Sequence, residues 1–158
     1  MLMTLGKVRQ ARPDDALKIA TMCELLWPDA PAEEHRVEIE PLIRTGRCGT
    51  LPAAIFVSCD GESDDLTGFL QIGLRSHADG CDPERPVGFI EGWFVYEGLR
   101  NQSIGRALTM AAEDWARAQG CTEMASDALI DNDLSLIAHQ ALGYEVVDRC
   151  VHFRKPLL

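Results

Sequence analysis

Apolar and polar residues alternate over residues 4–11, and a period of two predicts a strand. Arg12-Pro13-Asp14-Asp15 then opens a helix, with a proline and two acids in its first turn. Ala16, Ile19, Ala20, Cys23 and Leu26 recur at the helical period behind it, and Trp27-Pro28-Asp29-Ala30-Pro31 breaks the run. Residues 32–45 predict a second, charge-rich helix that makes its apolar contacts through Val37, Ile39, Leu42 and Ile43 and stops at Gly46. Three strands follow over residues 53–59, 66–75 and 87–96, separated by a turn at Asp60-Gly61 and a loop at 76–86. From there strands and helices alternate: a helix over 104–119, a strand over 122–129, and a helix over 134–142 capped by Asp131-Asn132-Asp133 and ended by Gly143. Residues 144–153 predict one or two closing strands.

This order is that of an α+β fold, a single domain over residues 1–158 with a central mixed, twisted sheet and helices on both faces. No repeat, linker or low-complexity tract interrupts it. Charge narrows the function. With 25 acidic and 15 basic side chains the net charge is −10, which argues against nucleic acid as a partner, because phosphate contacts need clustered Lys and Arg. A cation is the partner that such a surface attracts. No apolar run reaches the ~20 residues that span a bilayer, so no membrane association is expected.

The six cysteines are scattered singly, without a Cys-x-x-Cys pair or zinc spacing, so neither a disulfide framework nor a metal site is expected. Cys23, Cys59, Cys121 and Cys150 have apolar neighbours and read as small core side chains in a reducing cytoplasm.

The segment Arg100-Asn101-Gln102-Ser103-Ile104-Gly105-Arg106 joins a strand to a helix start. Such a loop aims unpaired backbone N–H groups and the positive end of the helix dipole at an anion. It also reads as an ordinary strand–helix connection with a packing glycine. The segment resembles the Arg/Gln-x-x-Gly-x-Gly/Ala motif of the GNAT superfamily of acetyl-CoA-dependent N-acetyltransferases, with Ser103 replacing the first glycine; a second register, Gln102-x-x-Gly105-x-Ala107, needs no substitution. Four further blocks extend the likeness: Leu26-Trp27-Pro28, Phe89-Ile90-Glu91-Gly92-Trp93-Phe94-Val95, Cys121 to Asp127, and His139-Gln140-Ala141-Leu142-Gly143-Tyr144. Together they resemble the aminoglycoside 6'-N-acetyltransferases of that superfamily.

The resemblance implies acetyl-CoA as cosubstrate, held where two strands splay apart. Trp93, Phe94 and Val95 would offer main-chain groups to its pantetheine arm, the loop from Arg100 to Arg106 would cradle its pyrophosphate, and Asn132 would stand near the thioester. For a polyammonium sugar the matching positions are Trp27, Glu91, Asp127 and Asp148. Carboxylates suit that role, since charge-assisted hydrogen bonds replace the hydration of an ammonium. Glu91, among apolar strand neighbours, is equally an acid paired with an arginine, and Asn132 is equally a helix cap. Two sugar-side matches are lost: Ala78 stands for a tyrosine and Ala30 for a histidine.

The implied reaction is direct transfer to the 6'-amine in a ternary complex. Asp127 and Glu91 would orient and deprotonate the amine, and a strand N–H near Val95 would stabilise the oxyanion. His139 falls where the family's proton-donating tyrosine stands, four residues before Gly143; a structural helix histidine is the other reading. A homodimer is implied too. Two other functions remain compatible with the residues: acetylation of a polyamine or other small amine, and a non-catalytic CoA-binding module.

Overall fold

The strand Leu51–Cys59 carries two apolar faces, and they divide the molecule. Ala53, Ile55, Val57 and Cys59 point into one core, whereas Ala54 and Phe56 pack into the other, as the period of two demands. The structure, a computed structural model, describes residues 6–157, so residues 4 and 5 of the first expected strand lie outside it.

Among the described residues six strands are present: β1 (Lys7–Gln10), β2 (Arg47–Cys48), β3 (Leu51–Cys59), β4 (Leu66–Arg75), β5 (Val87–Val95) and β6 (Met124–Ser126). Four α-helices accompany them: α1 (Ala16–Leu26), α2 (Ala32–Thr45), α3 (Ile104–Ala118) and α4 (Asp133–Ala141). The sheet order is β1-β3-β4-β5-β6, with β2 a short hairpin partner of β3. All pairings are antiparallel except β5 with β6, which is parallel. Ile19, Met22 and Cys23 of α1, with Ile39 and Leu42 of α2, fill one core; Leu108, Ala112 and Ala116 of α3 fill the other. The sheet is therefore covered on both faces.

Several expectations need correction. Val37 is 67% exposed, because α2 turns Ile39 and Leu42 inward instead. The strand expected over 122–129 is reduced to β6, which leaves β5 after Ser126. The closing strands over 144–153 do not form. That stretch has the strand pattern, but among the described residues no strand pairs with it to complete a ladder, and residues 145–157 are exposed throughout. Cys150 lies on this segment and is exposed, unlike the buried Cys23, Cys59 and Cys121. Burial raises the pKa of these three, that of Cys23 to about 12, so they behave as apolar side chains.

Candidate active site

The parallel ladder between β5 and β6 is only three residues long: Gly88 pairs with Met124, Phe89 with Ala125 and Ile90 with Ser126. The residues that come next, Glu91 and Asp127, stand on either side of the resulting fork. A bulge sets the direction of Glu91. On the other edge of β5, Gly92 pairs with Gln71 and Ile90 with Ile72, which leaves Glu91 as the extra residue of the β4–β5 ladder. Bulges re-aim side chains in this way beside sites.

Glu91 has a partner. Arg75 donates to both of its carboxylate oxygens, at 3.0 and 2.8 Å, and lies 3.4 Å over the Phe89 ring. The hydrogen bond to Glu91, reinforced by the charges of Glu91 and Asp127, holds the Arg75 guanidinium above its ordinary pKa despite partial burial. Glu91 is thus paired with an arginine in this structure, at the fork. Asp127 is exposed and makes no hydrogen bond or ion pair among the described residues. Trp27 caps the C-terminus of α1 and presses its ring on β5: a Cβ at Gly92 would lie 2.5 Å from it. Trp27, Glu91 and the fork are therefore adjacent. Asp148, the fourth expected position, lies on the exposed C-terminal segment and accepts from the N–H of Arg149. No hydrogen bond or ion pair joins it to the other three among the described residues.

Beyond the fork the free edge of β5 continues. Tyr96 donates its N–H to Thr67 O, so in the alternating antiparallel ladder Phe94 also turns its main-chain groups to β4. Trp93 and Val95 turn theirs the opposite way, into the space that β6 vacates. Phe94 is thus corrected from an edge contact to a core side chain, and the Val95 carbonyl is taken by Arg100 Nε at 3.0 Å. The indole N–H of Trp93 is buried without a partner among the described residues.

The loop after β5 ends at the N-terminus of α3. The first helical bond runs from Ala107 N–H to Ser103 O, so the N–H groups of Ile104, Gly105 and Arg106 precede it. Ser103 makes no side-chain cap, and the first turn holds no acid. Asn101 and Ser103 both take left-handed backbone, at φ 63° and 64°. Gly105 lets the helix start approach the Trp93 ring, which a Cβ would meet at 3.0 Å. The unpaired indole N–H, the open first turn and the close glycine approach suit a pyrophosphate-bearing ligand, and Gln102 in the same loop is exposed. Arg106 reaches back to the carbonyl of Ala141 at 3.4 Å and ties α3 to α4.

Asn132 is a helix cap: its side-chain oxygen accepts from Ser135 N–H at 3.1 Å. His139, on α4, lies edge-on to the rings of Trp93 and Tyr144 and contacts Ser126 Oγ at 2.8 Å. Sequence reasoning missed Arg75 and Ser126. Neither has a local signal: Arg75 reaches Glu91 across a bulged ladder, and Ser126 meets His139 across 13 residues of chain.

The chain matches the acetyltransferase (GNAT) family over residues 19–144. An aminoglycoside N(6')-acetyltransferase type 1 of Klebsiella aerogenes is 40% identical over 144 residues, covering 91% of each chain. One of the same description from Stenotrophomonas maltophilia is 37% identical over 159 residues, covering 99% of this chain and 97% of the relative. The structure of AAC(6')-Iy in complex with the bisubstrate analogue CoA-S-monomethyl-acetylneamine has a TM-score of 0.85 at 29% identity, covering 98% of this chain and 100% of that one. A family match that spans the fork and its flanking helices, with relatives aligned almost end to end, leaves one assignment: the chain belongs to the acetyltransferase (GNAT) family.

Proposed function

We propose that this protein is an acetyl-CoA-dependent aminoglycoside 6'-N-acetyltransferase. The observation that carries the reading is the fork of β5 and β6, where Glu91 and Asp127 flank the opening beside the Trp27 ring. Two carboxylates and an indole face are what a sugar bearing several ammonium groups requires. The relatives named as enzymes of this kind support the same substrate class.

Acetyl-CoA, when bound, supplies the activated acetyl group. Its pyrophosphate would rest on the N–H groups of Ile104, Gly105 and Arg106, with Asn101, Gln102 and Ser103 forming the loop and Arg100 close by. The outward main-chain groups of Trp93 would hold the pantetheine arm as an added strand. Asp127, free of partners among the described residues, orients the substrate amine and takes its first proton. Glu91, kept in position by Arg75, offers its carboxylate as a hydrogen-bond acceptor beside the opening. The Val95 N–H, turned into the fork, serves the developing oxyanion. His139 is the residue from which the proton for the departing thiolate is drawn, and Asn132 caps α4, on which His139 stands. Asp148 stays outside this reading, its carboxylate turned onto its own chain.

A homodimer belongs to the proposal. None of the nine residues of α4 is buried, although Leu134 and Ile137 lie on it, and Val147, Val151 and Phe153 follow on an exposed segment that joins no ladder among the described residues. An apolar patch of this kind marks an interface, and the free edge of β6 suits the same segment of a second copy. The six free cysteines and the acetyl donor suit a reducing cytoplasm.

The test is acetyl-CoA-dependent thiol release across a panel of aminoglycosides and linear polyamines. Turnover on kanamycin-type substrates at least about tenfold above that on spermidine is expected, a gap of ~1.4 kcal/mol in transition-state binding. Faster turnover on spermidine would replace the substrate class, and tight aminoglycoside binding without thiol release would replace the enzyme by a binding module.

A further inference from the structure

His139 has no free ring nitrogen. Its Nδ1 lies 2.7 Å from the Ser135 carbonyl oxygen, an atom that only accepts, so Nδ1 carries the hydrogen. With that hydrogen on Nδ1, to which Ser135 Oγ also lies at 3.2 Å, Nε2 faces Ser126 Oγ at 2.8 Å as an acceptor. The Ser126 hydroxyl therefore donates to His139 and is polarised by it. The ring is held in this pose by edge contacts with Trp93 at 5.2 Å and Tyr144 at 5.6 Å. Ser126 is the last paired residue of β6, next to Asp127, at the point where β5 and β6 part. Its hydroxyl thus meets His139 at the base of the fork. The neighbouring phenol is not equipped for the same work: Tyr144 OH donates to Glu113 at 3.2 Å, and burial, with the Glu113 charge, makes it a weaker acid than an ordinary tyrosine.

We propose that Ser126 is a further catalytic residue, a hydroxyl backed by His139 that moves a proton from the attacking amine to the departing sulfur. The proposal rests on the acetyltransferase reading and states how His139 reaches the reacting atoms. Two protons must leave the substrate ammonium. Asp127 takes the first and releases it to solvent, which leaves the amine nitrogen its lone pair. Attack forms the C–N bond and makes that nitrogen cationic. Ser126 Oγ accepts the second proton from it as the Ser126 hydrogen passes to His139 Nε2. His139 is then an imidazolium whose two N–H groups already face acceptors, Ser135 O and Ser126 Oγ. As the C–S bond breaks, its electron pair stays on sulfur; Ser126 gives its proton there and recovers one from His139 Nε2. Both residues return to their starting state, and the products are an amide, a thiol and one proton in solution.

The experiment measures kcat and both KM values, with an aminoglycoside and acetyl-CoA, for the full-length wild type, Ser126→Ala, Ser126→Thr, His139→Gln and the Ser126→Ala/His139→Gln double variant. Loss of a positioned acid–base group predicts a kcat lower by about 100-fold in Ser126→Ala and in His139→Gln, with both KM values within about twofold of wild type. In His139→Gln the side-chain amide still accepts from Ser126 but takes up no second proton, so this arm stands even where the alanine variant fails to fold. The double variant loses no more than the worse single one, since the two residues act as a unit. Ser126→Thr recovers part of the loss because it restores the hydroxyl. Either single variant within about twofold of wild-type kcat, multiplying losses in the double variant, or a threonine as poor as alanine would overturn the relay. A wild type that releases no thiol with any aminoglycoside overturns the reading beneath it instead, and the two failures are distinct.

Discussion

Ser103 stands where the backbone is left-handed, at φ 64°, immediately before α3. A side chain with a Cβ pays for that conformation, at roughly 1–2 kcal/mol, and glycine does not. Ser103→Gly is therefore expected to stabilise the folded state despite the entropy that glycine adds to the unfolded one. A rise in Tm of roughly 2–4 °C corresponds to about 1 kcal/mol for a chain of this size. Removal of the Cβ from the loop is also expected to lower KM for acetyl-CoA. Thermal melts and steady-state kinetics check both, and a variant that melts lower and binds more weakly would contradict the strain. Single residues also mark where reading one sequence ends. Glu91 and Asp127 announce themselves as acids among apolar strand neighbours. Arg75 does not, because its partner is chosen by a bulge in the ladder, and Ser126 does not, because a serine in a strand has no meaning until α4 brings His139 to it.

Between elements, a largely buried ion pair fastens β1 to the start of α1. Arg9 donates to both oxygens of Asp15, at 2.6 and 3.0 Å, and Asp15 also accepts from Arg12 N–H at 2.7 Å. The two side chains are 12% and 8% exposed. Burial raises the Asp15 pKa, and the hydrogen bonds from Arg9 and Arg12, with their charges, outweigh it, so the carboxyl sits below its usual value in the folded state. A depressed pKa contributes stability above the unfolded value of about 3.9, and this is lost as pH falls through the lower folded value. Asp15→Asn leaves Arg9 buried beside a neutral group and is expected to cost about 3–5 kcal/mol at pH 7. Urea melts at pH 7 and below pH 4 check this: the variant should start less stable and lose less on acidification. Equal stability at pH 7 would show that the pair contributes nothing. Among the elements themselves, α2 is legible because Ala32–Thr45 carries helical spacing and Gly46 takes the left-handed stop at φ 66°. The closing strands over 144–153 are misread for a physical reason: alternation records which faces are apolar, and a strand also needs a neighbour, which this chain does not place there.

For the whole molecule, the proposed neighbour is a second copy. Phe153 is 92% exposed and Val151 75%, so replacing both with aspartate leaves the fold of one chain untouched. Sedimentation equilibrium is expected to show a dimer for the wild type and a monomer for the Val151→Asp/Phe153→Asp variant; a monomeric wild type at micromolar concentration would remove the interface. The net charge of −10 acts at the same scale. It opposes an anion such as acetyl-CoA, which the proposed site would hold by N–H groups at the start of α3, and it favours a polycation at the proposed site in the fork. In the proposed enzyme the fork presents one particular amine to the acetyl group. Two aminoglycosides that differ only at the 6' position, one bearing an amine and the other a hydroxyl, put this to the test when thiol release is followed and the acetyl group is located by NMR. One thiol per acetylated molecule is expected, with the acetyl on the 6'-nitrogen, and no turnover of the hydroxyl analogue. Equal turnover of the pair, or an acetyl group on any other nitrogen, would contradict it.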